Sequence, residues 1–294
     1  MIIVFAEPGD GLAADIQSRL TERGRGCLLI TPPVPGCSFR FSWQIPPVAT
    51  EQLVFSGRTL QLERLRGVVV RALPPSPAGP RGAESDLDYL RVEWSAALVG
   101  WLKTLPCPVL NRPRPGRSFH PAHLSAYELG FRAAGLRLPR LLVTNSEQEA
   151  RRFWRSCGGT VLRAPWQGEP LPAESEDEAA QTDGGSCLLA CPAGERRRLH
   201  VVGNEVFAER LGDDGGTASA EYLLTGILAD RCSLLAGRLG LSCLQLTVVS
   251  GAGGDVVLAA ADLPDAVFGD LSYRKRVAGA LAKRFTEERP EALP

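Results

Sequence analysis

The sequence predicts an α/β protein whose C-terminal part becomes α+β. Short continuous apolar runs, residues 2–6 and 67–72, read as buried strands. Helical periodicities lie between such runs, with Leu12, Ile16 and Leu20 in one and Leu90, Val92, Trp94, Leu98 and Leu102 in another. Strands alternating with helices imply a largely parallel sheet. Beyond residue 198 the pattern changes to apolar runs joined by short glycine turns, the mark of antiparallel hairpins.

Along the chain, residues 10–23 form a helix closed by Gly24 and Gly26, and 27–30 a second strand. Residues 39–41 and 53–55 are shorter β candidates, and Ser56-Gly57-Arg58 turns into a strand at 59–62. Arg71 ends the strand at 67–72, and a Pro- and Gly-rich loop follows over 73–82. Asp86 and Asp88 sit at the positive end of a helix over 86–104. A short strand at 109–111 and a loop to 116 complete this first region. A helix over 122–134 is closed by Gly135, and a strand at 139–145 leads to Asn145 or Ser146 as the N-cap of a helix through Trp154. Residues 160–163 form another strand.

Residues 167–185 are acidic, with Glu174, Glu176, Asp177 and Glu178, and hold few large apolar side chains, so they read as a mobile loop. Gly203-Asn204 turns between strands at 199–202 and 205–211. A second flexible stretch at 213–217 precedes a helix over 220–238, ended by Gly240. Strands at 244–249 and 255–260 pair across Ser250 to Gly254, and a helix covers 272–284. Three domains are expected: 1–116, 117–212 with the flexible acidic loop 167–185, and 213–294.

Bulk composition narrows the function. Thirty-three basic residues balance 33 acidic ones, and this balance argues against a nucleic-acid binder, which needs a basic face, while leaving a local basic patch open. No apolar run approaches the roughly 18 residues of a membrane span. The first residues carry no basic region of a signal peptide, so a cytoplasmic location is expected. The eight cysteines are scattered without a Cys-x-x-Cys, which fits reduced, buried thiols. Only Lys103, Lys275 and Lys283 are lysines, so chemistry requiring a lysine has few candidates.

Residues 107–145 run CPVLNRPRPGRSFHPAHLSAYELGFRAAGLRLPRLLVTN, and residues 198–208 run RLHVVGNEVFA. With Leu239-Gly240-Leu241, two strands and Pro264, this ordered set resembles the ATP-grasp superfamily. The branch it resembles is that of ribosomal-protein glutamate ligases and microviridin-type macrocyclising ligases. The stretch up to Arg71 resembles their N-terminal pre-ATP-grasp α/β domain. The resemblance implies two lysines on the nucleotide phosphates, and acidic residues plus an Asn on Mg²⁺.

This sequence departs from that pattern. Leu124 stands at the first lysine, Arg163 at the second, Thr247 at the first-strand Asp and Ala260 at the second-strand Glu. Asp262 stands at the Asn position and is the single metal candidate left. Arg198 matches the family arginine that contacts phosphate or substrate, and with Arg163 makes a candidate anion site. No catalytic residue is assigned. The resemblance with these losses implies a degenerate homologue that needs no cofactor. It would bind a peptide, a protein partner, an active paralogue or an anionic ligand, with nucleic acid and membrane excluded and a homodimer admitted. The alternative is an ATP-dependent carboxylate–amine ligase with altered ligands, using ATP and Mg²⁺. A third reading is a protein that binds a nucleotide or other anion as a signal. Of the three histidines, His120 and His123 could share a ligand, and His200 faces solvent or a satisfied partner.

Overall fold

The computed structural model describes residues 1–31, 40–42, 52–55, 58–72, 85–113, 124–164, 170–181, 186–212, 217–221, 223–262 and 270–287. The chain divides into two compact units, Met1–Pro115 with Arg274–Pro294, and Gly116–Tyr273. In the first unit, β1 (Ile2–Phe5), β2 (Cys27–Ile30), β6 (Gly67–Val70) and β7 (Val109–Leu110) form a parallel sheet in the order β2-β1-β6-β7. Every residue of β1 and β6 is buried, which is why both read as unbroken apolar runs: a parallel sheet is covered on both faces. Helix α1 (Gly11–Glu22) buries Leu12, Ile16 and Leu20. On α2 (Ser85–Thr104), Leu98, Trp101 and Leu102 pack with Ile3, Phe5, Val68 and Val70. A separate antiparallel sheet holds β3 (Arg40–Ser42), β4 (Gln52–Phe55) and β5 (Arg58–Gln61). Asp10 caps α1 through the Ala13 N–H and also accepts from Arg71 Nε at 2.9 Å.

The second unit contains two sheets. Helix α3 (Glu128–Ala133) leads into a four-stranded sheet of β8 (Leu141–Thr144), β9 (Val161–Ala164), β10 (Leu171–Pro172) and β11 (Ser186–Ala190), in the order β10-β9-β11-β8. Helices α4 (Glu147–Ser156) and α5 (Glu176–Ala180) cover one face, where Ala150, Val161, Ala180 and Leu188 meet. The acidic stretch thus contains a helix. Ser175 caps it through the Glu178 N–H, Glu178 accepts from the Glu174 N–H, and Arg155 grips Glu176. Residues 165–169 and 182–185 lie outside the described residues.

The second sheet is antiparallel, in the order β14-β13-β12-β15-β16. It comprises β12 (Glu195–Val202), β13 (Glu205–Leu211), β14 (Thr217–Glu221), β15 (Cys243–Gly251) and β16 (Gly254–Ala261). Its apolar face carries Leu199, Val201, Val206, Ala208, Leu244 and Leu246 against Ala229, Cys232 and Leu235 of α6 (Ile227–Leu239). The last helix, α7 (Leu271–Glu287), ends the second unit with Tyr273 and continues in the first, where Arg274 Nε meets Asp15 at 2.7 Å.

A buried polar face as the candidate functional site

Side chains alternate along a strand, so the face opposite the α6 core collects every second residue of each strand. The two-residue turn Gly203-Asn204 sets Arg198 opposite Glu209 and His200 opposite Phe207. Strand β15 lies on the other side of β12 and sets Thr247 opposite Arg198 and Gln245 opposite His200. The result is a row of polar groups inside the protein: Arg198, His200, Glu209, Gln245 and Thr247 are all buried.

Their partners are specific. Arg198 Nη1 donates to Glu209 Oε1 at 3.0 Å, and Glu209 is wholly buried. His200 Nε2 faces Gln245 Oε1 at 3.0 Å, so the ring proton sits on Nε2. His200 Nδ1 is hydrogen-bonded to the Tyr273 hydroxyl at 2.7 Å. Burial pushes the Tyr273 phenol well above its ordinary range; the Glu209 charge adds to this and Arg198 opposes it. Tyr273 therefore stays a neutral phenol. Thr247 Oγ1 is buried without a hydrogen-bond partner.

Strand β16 supplies the last two positions. Thr247 pairs with Ala259 and Gln245 with Ala261, with a register irregularity after Thr247. Ala260 lies opposite Leu246 and packs against the apolar core of α6, so Ala259 and Ala261 hold the polar-face positions. Asp262, directly after β16, is half-buried and already engaged in an interaction. Among the described residues no group of three or more His, Cys, Asp or Glu side chains could hold a metal ion. Mg²⁺ favours near-octahedral oxygen and leans on carboxylates. The β15 and β16 positions of this face offer an amide, a hydroxyl and two methyl groups. Its buried carboxylate, Glu209, is already neutralised by Arg198. This donor set does not fit Mg²⁺-ATP.

The two arginines of the expected anion site are not brought together. On β9, Leu162 and Ala164 pack towards Val249 of β15 and Val256 and Leu258 of β16, while Val161 packs towards α4 and α5. Arg163 follows Val161. Its Nη1 stands 3.8 Å from Glu178 Oε1 and its Nη2 donates to the Gln181 carbonyl. Arg163 thus lies on the α5 side of its sheet, and Arg198 ends on Glu209. His120 and His123 lie outside the described residues. Burial pushes the Cys232 thiol up to about 12 and those of Cys27, Cys107 and Cys187 to about 11, away from the reactive thiolate.

An α/β N-terminal unit followed by a four-stranded sheet and an antiparallel five-stranded sheet defines the ATP-grasp fold, and comparison with solved structures bears this out. The macrocyclase MdnC of Microcystis aeruginosa MRC, solved bound with precursor peptide MdnA, superposes with a TM-score of 0.75 at 14% identity, covering 98% of this chain and 99% of that one. The ATP-grasp ligase PsnB, complexed with a minimal precursor, Mg and ADP, gives 0.72 at 21% identity over 97% and 96%. A RimK domain ATP-grasp protein from Sphaerobacter thermophilus DSM 20745 gives 0.59 at 18% identity over 96% and 98%. No family model matches the sequence, and no curated protein does. Among the described residues no helix is long and apolar enough to cross a membrane.

Proposed function

We propose that this chain is a catalytically degenerate ATP-grasp homologue that acts by binding, with a peptide as its foremost ligand and a protein partner or anionic ligand as the other classes. One observation carries the reading: Gln245, Thr247, Ala259 and Ala261 occupy the polar-face positions of the strands that, in the family it resembles, carry metal-binding carboxylates. ATP-grasp chemistry needs cationic compensation of the phosphates before an acyl phosphate can form. A peptide is favoured because MdnC and PsnB were both solved with precursor peptides. A cytoplasmic location and the absence of nucleic-acid and membrane partners belong to the same reading.

The test is calorimetric titration with ATP, with and without Mg²⁺, paired with an assay for ADP release. The expected outcome is no Mg²⁺-dependent binding in the micromolar range and no ADP. Micromolar Mg²⁺-dependent affinity would overturn the reading and favour the carboxylate–amine ligase, with Asp262 as the first candidate ligand to replace.

A further inference from the structure

The second unit has a surface feature that the polar face does not use. Strand β8 lies at the edge of its four-stranded sheet, and Val143 on it is 53% exposed. Beside it opens a cavity of about 350 Å³, with Leu124, Leu138, Leu141 and Leu189 among its lining and Arg132 and Arg137 also facing it. Leu141 of β8 and Leu189 of β11 are cross-strand partners, so the cavity begins where the sheet edge does.

Arg137 is unusually well fixed at its root. Its N–H donates to the Asp255 carbonyl and its carbonyl accepts from the Val257 N–H, pinning it to β16 as a one-residue parallel bridge. Its exposed side chain has no carboxylate partner among the described residues. Arg132 has one only at 3.8 Å, the exposed Glu128. Glu128 lines the cavity as well, so what it joins to the leucine surface is a net positive charge, carried by Arg137.

We infer that the β8 edge and this cavity bind an extended peptide carrying acidic residues next to large apolar ones. The edge strand supplies backbone pairing, which is indifferent to sequence, and side-chain pockets on alternate residues supply the selection. A side chain on the Leu141 face enters the leucine-lined cavity, and a carboxylate reaches Arg137. This assignment rests on the peptide-binding form of the proposed function. The two fail separately, since the ATP titration reads one and a peptide titration the other.

The test uses the full chain and three short acetylated fluorescent peptides, alternating Leu with Glu, Leu with Gln, or Leu with Lys. The Leu/Glu peptide should bind saturably, the Leu/Gln peptide at least about fivefold more weakly, and the Leu/Lys peptide weakest, as charge pairing at a partly exposed site predicts. Arg137→Glu should reverse that order. Val143→Lys, on an exposed edge position, should weaken all three without changing the thermal midpoint. Equal affinities insensitive to Arg137→Glu, or no saturable binding, would overturn the assignment. So would sedimentation showing self-association that Val143→Lys abolishes, because the edge would then belong to a second copy of the chain.

Discussion

At the residue scale, the Arg198–Glu209 pair decides most. A wholly buried carboxylate depends on charge compensation, and removing one member of such a pair costs about 3–5 kcal/mol. Arg198→Ala should therefore lower the free energy of unfolding by about that much, while Arg198→Met with Glu209→Leu should recover most of the loss. Denaturant titrations of the three variants check this. A single-variant cost below about 1 kcal/mol would mean that the carboxylate reaches solvent. The family resemblance picks out Arg198 in the sequence but not its partner. Hairpin arithmetic could have found it: a turn at Gly203-Asn204 pairs Val202 with Glu205, and counting outwards brings Arg198 to Glu209. Tyr273 carried no such signal, because its contact with His200 spans 73 residues.

At the scale of elements, sequence patterns that repeat locally were readable and those that depend on register were not. Buried parallel strands, the Gly203-Asn204 hairpin and α4 with its Ser146 cap all follow from nearby residues. The resemblance puts Ala260 at the metal-binding Glu, whereas the irregularity after Thr247 turns it to the core side. Helix α5 was hidden by acidic composition, although Ser175-Glu176-Asp177-Glu178 is a capping signature. Its attachment to α4 is partly ionic, and that part is sensitive to pH. Hydrogen bonding from Arg155 holds Glu176 below its ordinary value of 4.5. Its contribution is therefore complete above that value and fades as pH falls through the depressed one. Amide exchange over residues 176–180, corrected for the slower intrinsic rate in acid, should speed up at low pH, before global unfolding begins. Ser175→Ala should produce the same loosening at neutral pH, at a cost of about 1 kcal/mol to the helix. Exchange unaltered by both changes would show that Ala179 and Ala180, which are buried, hold α5 without help from charge.

At the scale of the whole molecule, the first unit is discontinuous, taking its last helix from the far end of the chain. The local pattern of residues 271–287 predicts that helix but cannot say which core it completes. That is written instead in two glycines, whose reason for being glycine is a distant neighbour. A side-chain carbon at Gly67 on β6 would run into the Phe285 ring of α7, and one at Gly11 into the Arg274 guanidinium. Gly67 tolerates strand geometry as any residue would, so the demand there is purely one of space. Gly67→Ala should then destabilise the protein by about 1–3 kcal/mol, the usual cost of forcing extra atoms into a packed contact. In a Phe285→Ala background the space is already open, and Gly67→Ala should cost close to nothing. Two changes that relieve one another show a coupling energy of about 0.5–3 kcal/mol, whereas distant changes simply add. Thermal or denaturant unfolding of the wild type, both single variants and the double variant supplies the cycle. Additive costs would mean that the half-buried Phe285 ring swings clear of β6 and that α7 is held by Arg274 and its buried Val277 and Leu281 alone. Coupled costs would fix the C-terminal helix as part of the core of the N-terminal unit.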